Sequence, residues 1–114
     1  MMKHLKLVIN NDPKKIDIFF SKIELKLILN LYAKMVSNGE WKDYGLSISK
    51  HEISFNVYKR TAEFPVYRIT KNLNLKNTDN RYLIKDRLGH TIQYSNNLEN
   101  LIQKVKWNKF KLVN

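Results

Sequence analysis

Between Lys22 and Ser37 the apolar residues recur at helical spacing. Leu25, Ile28, Leu29, Leu31, Tyr32, Met35 and Val36 fall on one broad face, and Lys22, Lys26, Asn30, Lys34 and Ser37 fall opposite. The start of this helix is written locally. Ser21 and Glu24 have the spacing of a capping box, and Phe20 and Leu25 that of a hydrophobic staple. Asn38-Gly39 is the stop, because glycine takes the left-handed conformation at C′ without steric cost. Ile23 and Leu27 lie outside the main apolar face, so they are either additional core or an exposed patch.

Elsewhere the pattern has a period of two, which predicts strands. Such segments are 4–9, 16–20, 46–50, 52–59, 66–70, 81–85 and 90–95. In 52–59, Ile53, Phe55 and Val57 share one face, and Ser54, Asn56 and Tyr58 the other. Asn10-Asn11-Asp12-Pro13 reads as a turn, and Ser49-Lys50-His51-Glu52 as a tight hairpin. Asp86-Arg87-Leu88-Gly89 has Asp first and Gly fourth, as a type I turn prefers. Pro65 suits a strand start or edge, and 72–80 reads as a polar loop. Asn96 with Glu99 repeats the capping-box spacing before the stripe Leu98, Leu101, Ile102 and Val105, which predicts a second helix. The tail WNKFKLVN suits a last strand. The expected fold is α+β: an antiparallel β-meander of four to six strands packed on one long helix in the N-terminal half, with a short C-terminal helix.

The 114 residues are enough for a single domain, 1–114, with one core. With no cysteine there is neither a disulfide framework nor a thiolate zinc site, which suits a reducing compartment. No apolar run approaches the roughly 20 residues of a membrane helix, and the apolar stretch near the N-terminus is cut by Lys6. The expectation is a soluble, cytoplasmic protein without a membrane partner. Charge changes the picture most. The formal net charge is +11, a field that attracts polyanions. Enrichment in Lys, Asn and Ile is also what an AT-rich genome produces, so the excess is open to a compositional explanation.

The segments ILNLYAKMVSNGEWKDYGLSI and FNVYKRTAEFPVYRI resemble a family of small alphaproteobacterial proteins of unknown function. Its members carry a helix ending L-Y-x-x-M-V, followed by G-E-W-x-D-Y, and later an E-x-P-x-Y-R-I segment. The matching positions are Leu31, Tyr32, Met35, Val36, Gly39, Glu40, Trp41, Asp43, Tyr44, Lys59, Arg60, Glu63, Pro65, Tyr67, Arg68 and Ile69. Lys42 and Lys59 stand where relatives often have Arg, which removes a planar fork at those positions. The resemblance implies a compact bacterial protein and supplies no activity, substrate or catalytic residue.

Two clusters carry candidate chemistry. Glu40, Trp41, Asp43 and Tyr44 follow the helix stop, as a corner locking helix to sheet or as a contact for a partner or ligand. Glu40 and Asp43 form a carboxylate pair, which alone is a weak catalytic signal. The stretch YKRTAEFPVYRITKNLNLK interleaves Tyr58, Phe64 and Tyr67 with Lys59, Arg60, Arg68 and Lys71, as surfaces that hold phosphates and stack on bases do. Either arginine can instead pair with Glu63 inside the fold. Lys104, Lys106, Lys109 and Lys111 form a dense basic patch around Trp107 and Phe110. His4, His51 and His90 lack metal-ligand spacing, and no phosphate loop or nucleophile motif is present. No catalytic residue, metal or cofactor is expected. The leading expectation is a small basic module that binds RNA or single-stranded DNA through Lys59, Arg60, Arg68, Lys71, Lys104 and Lys106. The alternatives are a protein–protein adaptor using the Trp41–Tyr44 corner, and a small-ligand sensor.

Overall fold

Ser21 caps the long helix as its spacing predicts. In the computed structural model, which describes residues 19–60, 64–74, 80–105 and 107, helix α1 spans Lys22–Ser37. The Ser21 hydroxyl accepts from Glu24 N at 3.1 Å, and Glu24 Oε1 accepts from Ser21 N at 2.7 Å. Both halves of the capping box are therefore made. Ser21→Ala should cost about 1 kcal/mol in a urea melt, because one helix N–H loses its acceptor.

The helix stops in a Schellman motif. Glu40 N donates to Met35 O at 2.9 Å and Gly39 N to Val36 O at 3.0 Å, with Gly39 at φ 78°. That pair of bonds returns the chain sharply toward the sheet. Leu25, Ile28, Leu31 and Met35 are buried; Leu27, Leu29 and Tyr32 pack partly buried against the core. Val36, placed by periodicity on the apolar face, is exposed, because it sits in the last turn beyond the sheet's cover. Of the two marginal residues, Leu27 joins the core and Ile23 stays exposed.

The strands are β1 (Asp43–Ile48), β2 (Glu52–Tyr58), β3 (Tyr67–Asn72), β4 (Tyr82–Lys85) and β5 (Thr91–Ser95). They form one antiparallel sheet in the order β1-β2-β3-β4-β5, a meander. β1 begins three residues before the alternation suggested, because Asp43 and Tyr44 already pair with Tyr58 and Val57. β3 likewise runs two residues past the expected Thr70, into what was read as loop. Both hairpin turns form where expected. Ser49 N donates to Glu52 O at 2.9 Å, and Gly89 N to Asp86 O at 3.0 Å. Gly89 has φ 89°, and the β4–β5 register shifts between Ile84 and Lys85.

A short helix α2 (Leu98–Lys104) closes the described chain. Its cap is Asn97, not Asn96: Asn97 Oδ1 accepts from Asn100 N at 2.9 Å. Asn96 is one residue too early to reach the first turn, so no capping box with Glu99 forms. The expected strand at 4–9, residues 16–18 of the strand expected at 16–20, the turn at 10–13 and the tail strand lie outside the described residues; Phe19 and Phe20, the rest of that second strand, are buried but not in a strand.

Strand alternation sorts the sheet into two faces. The inner face carries Tyr44, Ile53, Phe55, Val57, Ile69 and Ile84, which form one buried core with α1, Leu98 and Leu101 of α2, and Phe19 and Phe20. The outer face carries Ser47, Ser54, Asn56, Tyr58, Arg68, Thr70 and Lys85, by the same register. Among the described residues no helix is long and apolar enough to cross a membrane.

Candidate functional site: a basic end on the outer face

Lys71, expected on the anion-binding face, is on the inner face instead. Its register partners are Ile53 and Tyr82, two residues along from Ile69, so alternation turns it inward. Its ammonium donates to Glu24 Oε1 at 2.9 Å and to Phe19 O at 3.1 Å. The Tyr82 hydroxyl donates to the other oxygen, Glu24 Oε2. The capping carboxylate thus ties the start of α1 to β3 and β4. Burial alone raises the Glu24 pKa, but hydrogen bonds from Tyr82, Lys71 and Ser21 outweigh it and hold the carboxyl below its usual range. Burial and the hydrogen bond to Glu24 push the Tyr82 phenol up. The Lys71 charge is compensated internally and takes no part in an external surface.

The Trp41–Tyr44 corner is mostly core. Trp41 is buried, edge-on to Trp107 at 5.5 Å between ring centroids and near Tyr67 and Tyr32. Tyr44 is buried and stacks on Phe55 at 4.7 Å. Burial pushes the Tyr44 phenol up, and the Asp43 charge adds to this. Its hydroxyl has no hydrogen-bond partner, and Asp43 Oδ1 is occupied by Tyr44 N at 2.8 Å. Burial, then the charges of Glu40 and Asp86, push Tyr67 up to about 12. Glu40 and Asp43 are half-buried and Lys42 is exposed, so these three make the corner's surface.

Trp107, read as part of a basic tail, is buried against Trp41 and Tyr67, and its indole N–H donates to Ile102 O at 2.9 Å. Lys104 is exposed, and its ammonium donates to Tyr94 O at 3.1 Å on the β5 side. Lys106, Lys109, Lys111, Phe110 and Glu63, and with Glu63 the proposed arginine clamp, lie outside the described residues.

The outer face has its own polar order. Ser54 Oγ and Thr70 Oγ1 share a hydrogen bond of 2.8 Å, and Asn56 Nδ2 donates to Ser47 Oγ at 2.8 Å. Glu52 stands opposite Asn72 in register, and Lys85 opposite Arg68, so Thr70 is midway between them. Their side chains meet at 3.5 Å in an ion pair that runs diagonally over Thr70. Lys85 was not singled out by the sequence; its alternation with Ile84 on β4 was the available signal.

Arg68 is different. It sits on the outer face of the central strand, between Asn56 and Lys85, half-buried, with no hydrogen bond or ion pair among the described residues. Tyr58 is the last residue of β2, and Arg68 the second of β3, so antiparallel pairing brings them to the same end of the sheet. Lys59 and Arg60 continue from Tyr58 and are exposed. The Tyr58 ring lies near Gly45 of β1: a Cβ there would stand 3.8 Å from Tyr58 Cε1, in ordinary van der Waals contact. Of the six cations expected to bind an anion, the fold therefore gathers Lys59, Arg60 and Arg68, turns Lys71 inward and sets Lys104 apart. Lys22, Lys26 and Lys34 are exposed on α1, in the opposite layer. No group of three His, Cys, Asp or Glu that could hold a metal occurs among the described residues.

The family model described as protein of unknown function (DUF2794) matches residues 18–102, a span that holds α1, the whole sheet and the gathered cations. Neither a curated protein nor a solved structure matches the chain.

Proposed function

This chain belongs to the DUF2794 family of proteins of unknown function, and for it we propose the role of a small non-enzymatic module that binds single-stranded nucleic acid. The observation that carries the reading is the Arg68 guanidinium, which has no ionic partner among the described residues and lies at the same end of the sheet as Tyr58 and exposed Lys59 and Arg60. A guanidinium offers a planar fork to phosphate oxygens, and lysines add point charge along a backbone. A tyrosine at the same end of the sheet offers a ring on which an unpaired base can stack and a duplex base cannot. The net charge of +11 steers any polyanion toward the protein, while this cluster supplies the geometry. The partner reading through Trp41 and Tyr44 draws less support, because both rings are spent in the core.

Fluorescence anisotropy with a labelled mixed-sequence strand and its duplex, at two salt concentrations, tests this. Affinity for the strand should exceed that for the duplex and should fall steeply with salt, as phosphate contacts release counterions. Arg68→Lys should weaken strand binding about fivefold to tenfold with an unchanged melting temperature, since the charge stays and the fork is lost. Absence of binding at low salt, or equal affinity for heparin, would refute the proposal.

A further inference from the structure

The same end of the sheet carries a second feature, two exposed apolar tips, beside the cations of the nucleic-acid reading. Antiparallel pairing brings the start of β1, the β2–β3 connection and the β4–β5 turn together there. Two of these segments present large apolar side chains to solvent: Phe64 at 71% exposure and Leu88 at 78%. These are the most exposed large apolar residues among those described, apart from Ile23 at 73% on α1. Each follows cations in sequence, Lys59 and Arg60 before Phe64 and Arg87 before Leu88, and Lys42 stands exposed at the start of β1.

At this end Glu40, Asp43 and Asp86 are half-buried, whereas Lys42, Lys59, Arg60 and Arg87 are exposed. Asp86 Oδ1 accepts from Leu88 N at 3.0 Å and from His90 N at 2.9 Å, holding its own turn. Asp43 Oδ1 accepts from Tyr44 N. The fully exposed charges at this end are positive and lie around the apolar tips. Lys42, Lys59 and Arg87 are exposed and form no ion pair among the described residues.

We propose that this end docks on an anionic lipid surface, with Phe64 and Leu88 entering the boundary between headgroups and acyl chains and Lys42, Lys59 and Arg87 meeting the lipid phosphates. Charge complementarity favours an anionic surface. The shape favours a soft and planar one, because the apolar groups sit on connections that end the sheet rather than in a groove. Leucine has no π-face to stack on a base, so Leu88 adds nothing to a nucleic-acid site. Stable attachment at an interface takes two weak signals together, apolar insertion and basic charge, and both are present. The sequence-based expectation of no membrane partner rested on the lack of a spanning segment, which peripheral docking does not need.

Co-sedimentation of the full chain with phosphatidylcholine vesicles, with and without phosphatidylglycerol, tests the proposal. The protein should sediment with the anionic vesicles and not with the neutral ones. Phe64→Ser with Leu88→Ser should lower the partition about tenfold, because insertion is lost and charge kept. Both side chains are exposed, so the variant should melt as the parent does, and Leu88→Ser alone should bind a labelled strand as the parent does while losing part of the partition. No sedimentation with anionic vesicles at low salt would overturn the proposal. So would full retention by the double variant, which would reduce the contact to charge alone. A parallel loss of strand affinity by Leu88→Ser would also overturn it, by assigning that tip to the nucleic-acid surface.

Discussion

Glu24→Gln should lower the stability of the protein by about 3–5 kcal/mol, a large share of what a domain of this size has to lose. The carboxylate accepts from Lys71, from Tyr82 and from the backbone of Ser21, so one side chain closes the helix cap and joins α1 to two strands. Side-chain exposure is 7% for Lys71 and 12% for Glu24, so water cannot solvate the ammonium once its counter-charge is gone. The amide of glutamine also turns one acceptor into a donor facing other donors. Glu24→Gln with Lys71→Met should recover part of the loss, because removing both charges leaves neither one unpaired. The pH dependence follows from the direction of the Glu24 shift. Its folded pKa is depressed, so the unfolded state binds the proton more readily. The contribution is fully present above the ordinary carboxylate range and is lost as pH falls through the lower folded value. Urea melts of parent and Glu24→Gln from neutral pH downward should therefore converge. A gap that stays constant into acid would show that Glu24 acts through something other than its charge.

That clamp marks the line between what local sequence reveals and what it does not. The ends of α1 are specified by neighbours three to six residues apart: Ser21 with Glu24, and Met35 with Glu40 across Gly39. Such signals can be read without knowing the fold. The capping box, however, engages only part of the Glu24 carboxylate. Its remaining lone pairs go to Lys71 and Tyr82, far along the chain, and no local pattern announces them. The signal for Lys71 was one of phase. It alternates with Tyr67 and Ile69, so a β3 extended by two residues places it inside, whereas a strand ended at Thr70 leaves it in a loop. β1 shows the same effect, since Tyr44 alternates with Leu46 but follows a helix stop that looked like a corner. In the basic-aromatic stretch, the sequence does not distinguish Lys59, Arg60 and Arg68 from Lys71, because charge alone carries no direction. Lys85 went unnoticed because its ion pair with Glu52 spans two strand spacings, a relation that exists only once the sheet order is known.

Trp41→Ala should cost about 3–5 kcal/mol, the range for truncating a buried large aromatic. Trp41 is 2% exposed and is reached by rings from four parts of the chain: Tyr32 on α1, Tyr67 on β3, Trp107 beyond α2, and through Tyr32 the Tyr44–Phe55 stack. The Schellman turn delivers it there, since Trp41 N also donates to Met35 O at 3.3 Å, fixing the backbone one residue past the motif. Truncation would open a cavity beneath three rings that cannot all collapse into it, because Tyr67 is fixed in the sheet and Trp107 by its bond to Ile102 O. Trp41→Phe should restore part of the loss by refilling volume, but not all, since the edge contact to Trp107 shortens. Trp107→Ala should also destabilise, and the two alanine changes together should cost less than their sum, because the 5.5 Å ring contact is lost in each. Urea melts of the four variants measure these terms, with circular dichroism as the readout so that the loss of tryptophan does not bias it. A Trp41→Ala protein as stable as the parent would place the ring outside the core and return the corner to the surface as a partner-binding element.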